Sequence, residues 1–124
     1  MEDFILPTTI TTPEVSLNIK EKIISFNGIS APENVNTFYN QIETKLSEFF
    51  NNYDSLTFDF NLEYFNSSSS KRILNLLILA KTSLIDNDKF KVIWRYEKDD
   101  EEILDSGKLY EHLSKLPFVF IEFI

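Results

Sequence analysis

The chain contains no cysteine, so it forms neither disulfides nor thiolate metal sites, a composition that fits a reducing cytoplasm. Its two glycines, Gly28 and Gly107, are too few for a Walker loop or a dinucleotide-binding fingerprint. The single histidine, His112, has no second His to share a metal and no Ser or Cys nucleophile motif around it. No catalytic residue, metal site or cofactor is therefore expected. Basic residues are in short supply, 12 against 20 acidic ones. The resulting net charge of -8 repels nucleic acid and anionic membrane but permits a basic protein partner. No apolar run reaches the ~18 residues that a membrane span requires. The acidic start MEDFILPTTI lacks the marks of a signal peptide. At 124 residues, with no internal repeat or linker, the chain suits one domain over residues 1–124. A domain of that size buries roughly two-thirds of its unfolded surface.

The most informative stretch runs from Ser55 to Ala80. Leu56, Phe58, Phe60, Leu62 and Tyr64 alternate with Thr57, Asp59, Asn61, Glu63 and Phe65, a period of two that predicts a strand with one buried face. The Leu-rich run from Ile73 to Ala80 predicts a well-buried helix. Between them lie Asn66, four serines from Ser67 to Ser70, then Lys71 and Arg72. Asn and Ser are good helix N-caps, so hydroxyls gather at the positive end of a helix dipole. Such a serine run has two readings: polar residues filling a turn, or a phosphorylation switch. A phosphoserine adds about -1.5 to -2 charge and three acceptor oxygens, which a helix N-terminus tolerates. The sequon-like Asn66-Ser67-Ser68 is not read as a glycosylation site.

The remaining elements follow in order. Residues 1–13, with Pro7 and Pro13, predict an irregular or edge segment. Glu14–Ile19 and Ile23–Ile29 predict a hairpin turning at Lys20-Glu21-Lys22. Ser30 and Glu33 have the spacing of a capping box, with Pro32 in the first turn. Val35, Phe38, Tyr39, Ile42, Leu46, Phe49 and Phe50 then fall on one helical face. Asp86-Asn87-Asp88 reads as a turn and resembles a calcium loop only without the required glycine and closing Glu. Phe90–Tyr96 predicts a strand with Trp94 in the core. The acidic run Glu97–Glu102 reads as a solvated helix start rather than a metal cluster. Ile103, Leu104, Leu109, Tyr110, Leu113 and Leu116 predict a third helix, loosened at Gly107 and broken by Pro117. Phe118–Ile124 supplies the last strand.

The order β-β-α-β-α-β-α-β predicts an α/β (α+β) domain with a mixed β-sheet and helices packed mainly on one face. That plan, with a serine opening the helix after the central strand, resembles STAS domains. Three stretches narrow the resemblance: Thr11-Thr12-Pro13, Gly28…Pro32-Glu33-Asn34, and Tyr64-Phe65-Asn66-Ser67-Ser68. Together with Trp94-Arg95-Tyr96 they look like the SiaC family of bacterial regulatory phosphoproteins. The resemblance implies a non-enzymatic cytoplasmic protein phosphorylated on the hydroxyl residue directly after the Asn. That position is Ser67 here, where the family usually has Thr, with Ser68 as second choice. It further implies a Ser/Thr kinase of histidine-kinase-like ATPase fold, a PP2C-type phosphatase, and a diguanylate cyclase as the effector that the unmodified form activates. An alternative in the same fold is a STAS anti-sigma factor antagonist that binds an anti-sigma kinase. The expected partner-binding residues are Tyr64, Phe65, Asn66, Ser67, Ser68, Lys71 and Arg72. For Phe65 two readings stay open, an exposed anchor or a ring packed under a neighbouring loop.

Overall fold

A computed structural model describes residues 1–83 and 89–124. The turn expected at Asp86-Asn87-Asp88 lies outside the described residues. The order of elements is β1 (Phe4–Leu6), β2 (Glu14–Asn18), β3 (Ile23–Ser30), α1 (Val35–Asn52), β4 (Leu56–Phe65), α2 (Ser67–Ser83), β5 (Phe90–Glu97), α3 (Glu101–Ser114) and β6 (Phe118–Phe123). They form one six-stranded sheet ordered β1-β2-β3-β4-β5-β6. The first three strands are antiparallel and β3 to β6 are parallel. The proline-bounded start thus contributes a three-residue edge strand.

Each parallel strand is laid beside its predecessor, always in the same direction across the sheet. Right-handed crossovers then put α1, α2 and α3 on one face. That face is apolar across the whole sheet. Leu6, Val15, Phe26, Phe60, Trp94 and Phe120 are successive register partners along one row, and Phe4, Leu17, Ile24, Phe58, Val92 and Phe118 along the next. Burying a large side chain of this kind contributes roughly 1.5–3 kcal/mol, so these rows and the helix faces above them dominate stability. The helices deliver Tyr39, Ile42, Leu46 and Phe49 from α1 and Ile73, Leu76, Leu77 and Ala80 from α2. The opposite face is open and largely polar at its centre, where Arg95 pairs with Asp59 at 2.8 Å.

The structure corrects two local readings, at Ser30 and at Gly107, and shows which side of α3 is buried. Ser30 and Glu33 do not form a capping box: β3 runs on through Ser30, and Asn34 caps α1 by accepting from Thr37 N at 3.0 Å. In α3 the buried face is Ile103, Gly107, Tyr110 and Ser114, whereas Leu109 and Leu113 are exposed. Gly107 does not loosen α3, which is continuous from Glu101 to Ser114. A Cβ at Gly107 would lie 2.5 Å from Trp94, so the absent side chain lets the helix sit on the indole. The helix ends with Lys115 in the left-handed region (φ 63°), two residues before Pro117.

Candidate functional site

The Ser67 region is assembled from the ends of β3 and β4 and from all three helices. Asn66 is the N-cap of α2: its side chain accepts from Ser69 N at 2.9 Å and its carbonyl accepts from Ser70 N at 2.9 Å. Asn66 N in turn donates to Ser30 O at 3.0 Å, and Ala31 N donates to Thr11 O at 2.7 Å. The stretches that carry the family resemblance are therefore hydrogen-bonded neighbours in the fold. Gly28 (φ 120°) sits where β3 shifts register against β4, with Pro13 Cα 3.5 Å from the place a Cβ would occupy.

The four serines divide sharply. Ser69 is fully buried, and Ser30, also fully buried, donates to its hydroxyl at 2.9 Å while lying 2.6 Å from Tyr39 OH. Ser70 is half-buried, its hydroxyl bonds Tyr110 OH, and that phenol donates to Ser70 O at 3.1 Å. Ser67 and Ser68 are exposed, and Ser67 is the first residue of α2. Ser30, Tyr39 and Tyr110 were not legible as members of this site from the sequence. A short polar residue ending an apolar strand was the only available signal, and the capping pattern at Ser30 masked it.

Among the expected partner-binding residues, Tyr64, Ser67, Ser68 and Lys71 lie exposed, with Asn66 half-buried between them. Tyr64 and Phe65 exchange the faces that strict alternation assigns them. Gly28 pairs with Leu62 and Ile29 with Tyr64, so Glu63 is an extra residue on β4. A bulge of one residue reverses every side chain beyond it. Tyr64 is consequently 54% exposed, while Phe65 turns inward against Trp94 (6.2 Å) and Tyr110 (6.3 Å). This decides the two readings of Phe65 in favour of packing. Arg72 is also redirected. It donates to Asn36 Oδ1 (2.8 Å) and Asn40 Oδ1 (2.7 Å) and pairs with Glu43 (3.0 Å), so it ties α2 to α1 and is not a free cation for a phosphate. Lys71 keeps that role open.

Burial raises the pKa of Tyr39, opposed by its hydrogen bonds to Ser30 and Ser69, and raises that of Tyr110, opposed by Ser70. A folded-state pKa above the unfolded value means that the unfolded chain loses these protons first as pH rises. Stability is then intact below about pH 10, the unfolded tyrosine value, and declines above it. In a titration followed at 295 nm, with far-UV CD reporting the fold, Tyr39 and Tyr110 should ionise above the ordinary tyrosine value, and their ionisation at that value in a still-folded protein would contradict this.

The sheet with its helix-bearing face and its hydroxyl-lined helix start defines a small α/β protein. Its fold is that of apo-SiaC from Pseudomonas aeruginosa (TM-score 0.87, 24% identity, 98% of this chain and 99% of that one). It also matches SiaC in a crystal structure of the diguanylate cyclase SiaD with its activator SiaC, from the same organism (TM-score 0.90, 23% identity, 98% and 100% coverage). An uncharacterised protein of P. aeruginosa is 24% identical over 119 residues, covering 95% of this chain and 94% of its own length. The model of the SiaC family of regulatory phosphoproteins matches residues 6–123, and the chain belongs to that family.

Proposed function

We propose that this chain is a non-enzymatic cytoplasmic switch in which Ser67 accepts phosphate and the unmodified surface around it docks an effector. The carrying observation is the division of the serines: Ser67 and Ser68 are exposed in the first turn of α2, with Ser67 directly after the cap Asn66, whereas Ser69 and Ser70 are held by Ser30 and Tyr110. Four features compose the docking surface: the exposed Tyr64 ring, the Ser67 and Ser68 hydroxyls, and the Lys71 ammonium. Phosphate at Ser67 would meet the positive end of the α2 dipole, so the helix keeps its start while the surface changes sign. The P. aeruginosa SiaC in complex with SiaD supports a diguanylate cyclase as the effector. A Ser/Thr kinase of histidine-kinase-like ATPase fold and a PP2C-type phosphatase complete the proposed cycle.

The test is incubation with that kinase and Mg-ATP, followed by mapping of the modified residue. Phosphate on Ser67, abolished in Ser67→Ala, is the expected result. Modification of Ser68, the second choice, would move the switch by one residue, and modification of Ser69 or Ser70, or of no serine in α2, would reject it.

A further inference from the structure

We propose that the outer edge of β6 is a docking site for an extended basic segment of a partner protein, which adds to the sheet beside it and seats a Lys or Arg over Glu63, Glu97 and Asp100. The inference is independent of phosphorylation at Ser67.

The two edges of the sheet differ. The β1 edge is three residues long and is followed by Pro7, which has no N–H to offer. The β6 edge runs for six residues without Pro, Lys or Arg, and among the described residues no strand pairs with its outer side. Its single charge, Glu122, is the register partner of Tyr96. An unpaired edge of that length presents a row of free N–H and C=O groups, the template for strand addition.

Side chains and charge narrow the occupant. Arg95, Ile93 and Glu97 pair with Ile121, Val119 and Phe123, which places those three apolar residues on the open face of the sheet. Val119 and Phe123 are each 42% exposed, and Ile121 is half-buried. An added strand with apolar residues at alternate positions would cover this stripe. A cleft of about 290 Å³ runs across the sheet from Asn27 and Gly28 of β3, past Asn61 and Glu63 of β4, to Glu97, Asp100 and Phe123, where it reaches the end of β6. It forms where β4, beyond its last register pair with β5 at Phe60 and Trp94, turns at the bulge. A second cleft of about 200 Å³ shares Asp100 and includes Asp99, Glu101 and Glu122. The chain from Glu97 to Glu102 carries five carboxylates and only Lys98 in return. Arg95, the other nearby cation, is engaged by Asp59. Glu63, Glu97 and Asp100 have no ion-pair partner among the described residues. Both clefts therefore call for positive charge at one end of the added strand. A second copy of this chain fits less well, since each copy carries -8.

The experiment pans a random-peptide display library on the full chain and measures recovered peptides by fluorescence polarisation. Recovered sequences should combine Lys or Arg with alternating apolar residues. They should bind Ile121→Lys and Glu63→Gln/Glu97→Gln at least about tenfold more weakly, a loss of about 1.4 kcal/mol. Unchanged thermal melts establish that both variants fold. On the wild-type chain, bound peptide should slow amide exchange in β6 specifically. Failure to recover any peptide, equal binding to the variants, or protection confined to another element overturns the proposal. So does a dimer in sedimentation at high micromolar concentration that Ile121→Lys dissolves, which would make a second copy the occupant.

Discussion

Phosphorylation of Ser67 is expected to weaken binding to the effector by about a hundredfold, or about 2.8 kcal/mol. The unmodified hydroxyl is small and neutral and sits in an exposed rim with Tyr64 and Lys71. A phosphate brings about -1.5 to -2 charge to a surface that must lose water when the partner docks. Leaving a charge desolvated in an interface costs several kcal/mol. Two effects oppose this within the chain. The α2 dipole returns about 0.3–1 kcal/mol. Lys71 is exposed, so its attraction is screened and contributes about 0–1 kcal/mol. Neither is large enough to cancel the penalty, and release wins. Titration calorimetry of the modified and unmodified forms against the proposed cyclase checks the number. Ser67→Ala should bind as the unmodified chain does, and Ser67→Asp should fall between, having less charge and one fewer acceptor oxygen. Equal affinity for both phosphorylation states would reject the switch. Far-UV CD should be unchanged throughout, because the bonds that Ser69 N and Ser70 N donate to Asn66 do not involve the Ser67 hydroxyl.

The sheet plan was legible because strand and helix periods are local. Leu56 to Leu62 alternate as they do because one face of β4 lies under helices, and that pattern needs no knowledge of the neighbours. The failures share a cause: each depended on an element distant in sequence. The bulge at Glu63 is defined by where β3 shifts register at Gly28, and it reassigns Tyr64 and Phe65. Arg72 finds its partners on α1, 29 to 36 residues away, and nothing near Arg72 announces them. Ser30 looked like a cap because the local spacing suited one; its actual partners are Tyr39 and Ser69. On α3 the apolar residues announce a helix without marking its buried side, since Leu109 and Leu113 are exposed. The buried side there carries Gly107 and Ser114, which no hydrophobic pattern marks, because the Trp94 ring already fills the space.

That filled space makes a one-carbon change at Gly107 costly. Gly107→Ala should destabilise the fold by up to about 2 kcal/mol, although Ala is the better helix former. Removing glycine from a helix interior contributes about 0.8–1.0 kcal/mol in favour. Against it, the new Cβ would stand 2.5 Å from Trp94 Cδ1 and Nε1 and 2.8 Å from Cγ, all atoms of a rigid ring. The ring has little room to retreat. It is 1% exposed, lies against Phe60, Tyr110 and Phe118, and is tethered by Nε1 donating to Ile103 O at 2.8 Å. Overpacking of this kind costs about 1–3 kcal/mol, which exceeds the helix gain. The helix must therefore shift outward, carrying Tyr110 away from Ser70 and loosening the first turn of α2. Urea denaturation should show a lower midpoint with unchanged slope, and amide exchange in the first turn of α2 should accelerate. A cycle with Trp94→Phe isolates the cause, since the smaller ring leaves room and Gly107→Ala should cost less in that background by at least about 0.5 kcal/mol. A stabilised Gly107→Ala, or equal costs in both backgrounds, would show that the contact with Trp94 does not govern how α3 seats.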